Sequence, residues 1–232
     1  MKFRNRYRTG LIPLRMNDTA GVLALCKDIA NLRNKTGDSS TLLKFCLYCW
    51  QLRRQNEIKA DAWAIVFGAT WQSGERESLL FMARLEEATV LAMFEAANPR
   101  YFMFLRDDWS RYNALPDTLT VCRGVCDTME RRSEGFSWSR DRRWATWFAY
   151  RNASNHVDYD KGRSAPQLLS AIVDKKDVLA IVSAEDEVIV RPGAVREMSM
   201  EQLPEGNFDR IMTELFRDLT GIVRPGYGLA GA

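Results

Sequence analysis

The sequence predicts an α+β fold, with a helical N-terminal region over residues 1–115 and a mixed strand-and-helix region over 116–232. Three observations predict it. Before Pro116, apolar residues recur at the 3–4 spacing of one helix face. After Pro116, short β-branched runs alternate with turn residues. The 232 residues are 46% hydrophobic and 11% aromatic, enough to bury a core.

Asp18 is placed to cap a first helix whose apolar face is Val22, Leu25, Cys26, Ile29 and Leu32. "STLLKFCLYCWQLRRQ" forms a second helix, and "EIKADAWAIVFGATWQ" a third that ends before Gly74. "ERESLLFMARLEEATVLAMFEAA" reads as one long fourth helix stopping before Asn98 and Pro99. "RYFMFLRDDWSRY" reads as a fifth. Beyond Pro116, "TLTVCRGV" is a strand, and "EGFSWS" a turn with a short strand. "RDRRWATWFAYRN" returns to helical spacing, with Trp144, Trp147 and Phe148 on one side. After a polar stretch over 152–166, "QLLSAIVD", "DVLAIVS" and "EVIVRPG" are strands. "NFDRIMTELFRDL" is a final helix before a Gly-rich tail.

Thirty-three basic and thirty acidic residues give a net charge of +3, too balanced to argue nucleic-acid binding from charge. No uncharged apolar run reaches the roughly 18 residues of a membrane helix. The basic start "MKFRNRYRTGLIPLRMND" lacks a secretory apolar core. A soluble, cytoplasmic protein with no membrane partner is the expectation. The five cysteines follow no disulfide spacing, which fits a reducing compartment. Cys46 and Cys49 lie in an apolar helical stretch, with Cys122 and Cys126 far downstream, so small hydrophobes are expected and no metal site is assigned.

"SAEDEVIVRPG" opens a strand on three acids, Glu185, Asp186 and Glu187. In an extended strand Glu185 and Glu187 share a face about 7 Å apart while Asp186 points away. Such a pair can stabilise a sugar cation and prepare a nucleophile. Charged strand starts also occur as solvated edges. Arg123 follows an apolar strand and precedes Gly124, so its guanidinium can fork onto a phosphate while glycine admits a ligand. Ser137 and Ser139 share a face if extended, and their hydroxyls can hold a ribose or a carboxylate. Ser139 can instead cap the helix beginning near Arg140. Trp138 and Phe148 are candidate stacking surfaces for a ligand, though such rings more often fill a core.

The order strand-Arg-Gly, Ser-x-Ser before a helix carrying "ATWFA", then Glu-x-Glu opening a strand that ends in Pro-Gly, resembles the Arg-Ser-Glu class of ADP-ribosyltransferases. "GFSWSRDRRWATWFA" looks like a bacterial and phage branch in which tryptophan fills the middle of the serine motif. The resemblance spans roughly residues 119–193. It implies a split β-sheet core with NAD, the substrate, bound in a cleft between two small sheets. Arg123 and Gly124 would meet the NAD backbone. Ser137 would support the ribose and the catalytic acid, with Trp138 and Ser139 beside it in the NAD-binding segment. Glu187 would be that acid, and Glu185 the acid that accompanies transfer to arginine. Many members have threonine where Trp138 stands. The chain's only histidine, His156, lies outside the motifs, which disfavours the His-Tyr-Glu branch.

The resemblance therefore implies a mono-ADP-ribosyltransferase with a macromolecular acceptor, protein arginine first. A toxin or phage effector modifying RNA or DNA is an alternative. The cation–aromatic run "KFRNRYR" would suit such an acceptor. A catalytically silent binding module of the same fold is a second alternative.

Overall fold

In the computed structural model, which describes residues 18, 20–26, 41–72, 84–103, 107–127, 135–155, 157–158, 162–182 and 185–221, a run of helices is followed by strands mixed with helices. The chain divides into two compact units, Met1–Ser110 and Arg111–Ala232. That division falls five residues before the boundary expected at 115/116.

The first unit is helical where described. Asp18 caps α1 (20–26), its carboxylate accepting from the backbone N–H of Ala20 and Gly21 at 3.2 Å each. Val22, Leu25 and Cys26 are buried as the spacing requires, while Ile29 and Leu32 lie outside the described residues. Helices α2 (Thr41–Arg54) and α3 (Ala60–Thr70) follow. The expected long fourth helix does not run through: residues 84–86 are non-helical, Arg84 has φ +48°, and α4 spans only Glu87–Glu95. The expected fifth helix is two short ones, α5 (Pro99–Phe102) and α6 (Asp108–Asn113), and α6 runs across the division between Ser110 and Arg111. Asn98 and Pro99 do more than stop α4. Asn98 Oδ1 accepts from Arg100 N at 3.2 Å, and Pro99 opens α5, where a missing N–H costs nothing.

An aromatic core joins α3, α4 and α5. Trp63 stacks on Phe67 with centroids 5.1 Å apart, and Phe67 meets Phe94 and Phe102 edge-on at 4.7 and 5.5 Å. The indole N–H of Trp63 donates to the Met93 carbonyl at 2.9 Å, satisfying its one buried polar atom.

The second unit is built on one antiparallel sheet in the order β6-β7-β2-β1-β5-β8. Its strands are β1 (Thr118–Cys126), β2 (Ser137–Ser139), β5 (Pro166–Asp174), β6 (Val178–Val182), β7 (Glu187–Val190) and β8 (Arg196–Gln202). A small hairpin, β3 (Val157–Asp158) with β4 (Gly162–Arg163), stands apart. The expectation was two small sheets. The strands instead form one sheet, but its two three-stranded halves meet through a single partnered pair, Cys122↔Ser139. The β1–β5 ladder, by contrast, pairs all nine residues of each strand.

Helix α7 (Arg142–Asn155) lies on β1 and β5, and α8 (Phe208–Thr220) lies on α7. Ala145, Ala149 and Ala153 give α7 a narrow buried stripe that faces Cys122, Cys126 and Leu168. Gly124 permits the closest approach. A Cβ there would stand 2.0 Å from the Ala145 carbonyl oxygen and 2.3 Å from the Ala149 nitrogen. Phe208 is buried with Ile211, Met212 and Leu215 packed alongside. Gly221, at φ +65°, ends α8 in the left-handed conformation that glycine adopts cheaply.

All five cysteines are buried thiols without disulfides. Burial pushes Cys26 up to about 12 and Cys49 well above the usual thiol range, so both stay protonated and pack as hydrophobes. Among the described residues, no helix is long and apolar enough to cross a membrane.

Candidate active site

The site begins where β1 and β2 part. Strand side chains alternate, so Ser137 and Ser139 face one side of β2 and Trp138 the other. Trp138 is 2% exposed and fills the core, so its ring offers no surface to a ligand. Ser139 pairs in register with Glu187, and Ser137 with Ile189. That register carries the Ser137 hydroxyl to the Glu187 carboxylate: Oγ donates to Oε1 at 2.5 Å. Glu187 is only 3% exposed. A buried carboxylate without such a donor would be costly. Its backbone is fixed from both sides, against Ser139 of β2 and Val182 of β6.

Arg123 projects from β1 towards the same segment. Its Nη1 donates to the Ser137 carbonyl at 2.8 Å, so the side chain bridges β1 and β2 close to their only partnered pair. Gly135 makes room for it. A Cβ there would lie 2.8 Å from both terminal guanidinium nitrogens, and its φ of +120° suits glycine alone. Gly124 has a different use from the one expected. The space beside it is taken by the α7 backbone, so the partner it admits is a helix and not a ligand.

Ser139 is not the helix cap. Helix α7 begins at Arg142, and Asp141 caps it, Oδ1 accepting from Arg143 N at 2.8 Å. The Arg143 side chain closes on the same carboxylate at 2.6 Å and holds Asp141 below the usual aspartate range. Ser139 Oγ accepts from Asp141 N at 3.1 Å and lies 3.0 Å from the Glu185 carbonyl oxygen, to which it can donate. The hydroxyl thus ties β2 to the turn before β7.

That turn overturns the strand reading of the three acids. Strand β7 starts at Glu187, whereas Glu185 and Asp186 form a turn and Asp186 has φ +47°. Glu185 therefore does not share a pleated face with Glu187. Asp186 does not simply point away either. Its Oδ1 accepts from Arg111 Nη2 at 2.7 Å and from Arg140 Nη2 at 2.5 Å.

Phe148 sits in an aromatic group on α7 and α8. It lies 5.0 Å from Trp147 and 6.4 Å from Trp144, and both tryptophans also meet Phe216. His156 and the basic run over residues 2–8 lie outside the described residues. The structure thus brings together Arg123, Ser137, Ser139 and Glu187, with Glu185 two residues from the last. Gly124 and Trp138 serve packing. Sequence reasoning missed Gly135, Arg111 and Arg140. A glycine two residues before a Ser-x-Ser strand was a legible signal for the first. Arg111 lies 75 positions from Asp186, and no local pattern links them.

Comparison with protein-family models, with curated proteins and with solved structures finds no match to this chain.

Proposed function

We propose that the second unit is an ADP-ribosyltransferase-like catalytic region that moves ADP-ribose from NAD, its substrate, to a macromolecular acceptor, with protein arginine as the acceptor class. The observation that carries this is the buried Glu187 carboxylate gripped by Ser137 at 2.5 Å, on a segment that Arg123 also binds.

The chemistry needs a negative charge beside a developing sugar cation. As the bond from ribose C1′ to the nicotinamide nitrogen breaks, positive charge spreads over C1′ and the ring oxygen. A carboxylate already fixed and shielded from water stabilises that charge without reorganising. Glu187 meets the requirement: two neighbouring strands hold its backbone and a hydroxyl holds its side chain. Arg123 supplies the cation for the phosphates, steadied by Gly135 and the Ser137 carbonyl. Glu185 is half-buried in the turn ahead of Glu187. It is the group to orient an incoming guanidine, or to take its proton as the new C1′–N bond forms. Arginine needs that help, because its guanidinium stays protonated in water.

The test is nicotinamide release from labelled NAD by the full chain, with and without agmatine as a free guanidine. The expected result is steady release and a labelled agmatine product. A chain that binds or cleaves no NAD at all would refute the proposal.

A further inference from the structure

Strand β8 is an edge of the six-stranded sheet, paired with β5 on one side only. All seven of its residues are exposed. Among the described residues, its Met198 and Met200 are the only large hydrophobic side chains left in the open, at 48% and 59% exposure. They stand two residues apart along a strand, so they share a face. That face is the one away from α7, because Glu201, on the other face, reaches Arg142 at 2.5 Å.

The backbone of this edge is set out just as definitely. In an antiparallel ladder, residues bonded to the neighbouring strand alternate with residues whose N–H and C=O point the other way. Leu203 N donates to the Pro166 carbonyl at 3.0 Å, which continues the register Gln202↔Gln167, Glu201↔Leu168 and Ser199↔Ser170. Leu203, Glu201 and Ser199 therefore bond to β5, and Met200 and Gln202 turn their backbone groups outward. Both ends of the edge are closed. Glu197, at φ +52°, lies where the β5–β8 register shifts, so a bulge precedes Met198. At the other end Pro204 has no N–H to offer. Residues 198–202 remain open, with Met200 at their centre.

We propose that β8 is a self-association surface, on which two copies of the chain pair their β8 strands antiparallel about a two-fold axis at Met200. Two six-stranded sheets then join edge to edge. Met200 lies opposite the partner's Met200, and Met198 opposite the partner's Gln202, with all the methionine side chains gathered on one face. Charge selects this centre. It sets Glu201 against the partner's Ser199. A centre at Ser199 would set Glu197 against Glu201, and a centre at Glu201 would set that residue against itself. Like charges directly opposite destabilise a strand pair. Glu201 also arrives with its charge matched by Arg142. The contact is small, below the roughly 1,200 Å² of a stable specific interface, so the pair forms and parts with concentration. None of this depends on the proposed transferase chemistry.

The experiment is sedimentation of the full chain over a concentration series reaching about 1 mM, where even weak pairing registers. The average mass should climb from that of one chain towards that of two. Met200→Lys sets like charges face to face on the axis, so this variant should stay monomeric throughout. Its melting temperature should match that of the unaltered chain, because Met200 is an exposed residue. Met200→Cys should cross-link under mild oxidation, since directly opposed, bonded residues have Cα atoms about 5.5 Å apart, within disulfide reach. The unaltered chain should not cross-link, as its five thiols are buried. Ser199→Cys tests the register: two such residues would sit diagonally, about 7–8 Å apart, and should link at least about tenfold more slowly. Three results would each overturn the proposal. They are an unaltered chain still monomeric at about 1 mM, self-association that survives Met200→Lys, and a Ser199→Cys link as fast as that of Met200→Cys.

Discussion

The β1–β5 ladder and the β2–β7 ladder belong to one sheet but are built on different terms. The first pairs nine residues on each strand, and Leu119, Val121, Val125, Leu168, Leu169, Ala171 and Val173 are all buried along it. The second pairs only three residues and contains two buried polar side chains, Ser139 and Glu187, against one, Gln167, along the nine pairs of the first. Its flanks carry Gly135 and Asp186 at positive φ. Apolar burial and regular pairing stabilise the long ladder. The short one spends part of that stability on buried polar groups and unusual backbone, the pattern expected where a structure holds chemistry in place.

The sharpest way to test the contrast is to neutralise the polar ladder without disturbing its shape. Glu187→Gln removes the charge and keeps the volume. We expect nicotinamide release to fall by about 10²–10³ while the fold survives. A melting curve run beside the release assay separates the two. A collapsed melting temperature with activity lost in proportion would give Glu187 a structural role only.

The next largest effect belongs to the apolar ladder and should be its mirror image. Gly124→Ala drives a methyl group into the α7 backbone, which cannot move aside as a flexible side chain can. The expected cost is about 3 kcal/mol, at the upper end for overpacking. Urea unfolding measures it. A loss below about 0.5 kcal/mol would mean that α7 does not press on β1 as the structure has it.

Gly135→Ala lies between the ladders and should show both kinds of effect at smaller scale. The positive φ and the displaced Arg123 guanidinium predict roughly 1 kcal/mol of lost stability. They also predict a KM for NAD raised about tenfold, the size of effect expected from a misplaced binding cation. Stability loss without any change in KM would remove Arg123 from NAD binding.

How much of this was legible in the sequence follows the same divide. The strands of the apolar ladder announce themselves through β-branched runs, since such residues suit a pleated, buried surface. Helix α8 does so through its caps, Asn207 before it and Gly221 after it. The motif residues Arg123, Ser137 and Glu187 were legible as a set, because their order along the chain was distinctive. The turn at Asp186 was not. Three acids before "VIV" read as the first residues of a strand, and only the positive φ shows that the strand starts one residue after Asp186. Strand β8 was missed because all seven of its residues are exposed, so nothing in "REMSMEQ" alternates towards a core. The break at 84–86 was hidden because "MARLEEATV" keeps helical composition through it. Propensity is a weak prior where tertiary structure decides.

The smallest expected effect comes from the helix cap between the two ladders, and it shows what an ordinary surface carboxylate does in this unit. Asp141 has two jobs, capping α7 through Arg143 N and pairing with the Arg143 side chain. Asp141→Ala loses both and should cost about 1 kcal/mol, the usual worth of a cap. Asp141→Asn keeps an oxygen for the cap and loses only the ion pair. It should cost less than Asp141→Ala at neutral pH, because an ion pair with an exposed arginine is screened by water. The two also differ in their dependence on pH. The Arg143 side chain holds the folded Asp141 carboxyl below its ordinary value. The stabilisation it gives is therefore present above the unfolded carboxyl's pKa, near 4, and is lost as pH falls through the lower folded value. In Asp141→Asn that component is absent, so the gap between this variant and the unaltered protein should close as the pH drops below about 4. The gap for Asp141→Ala should narrow but stay open, because a protonated carboxyl still offers an oxygen to the Arg143 N–H. Unfolding free energies at a series of pH values measure both gaps. A gap for Asp141→Asn that widens in acid would reverse the sign of the Arg143 effect. It would also place the stabilising charge of this corner elsewhere than on Asp141.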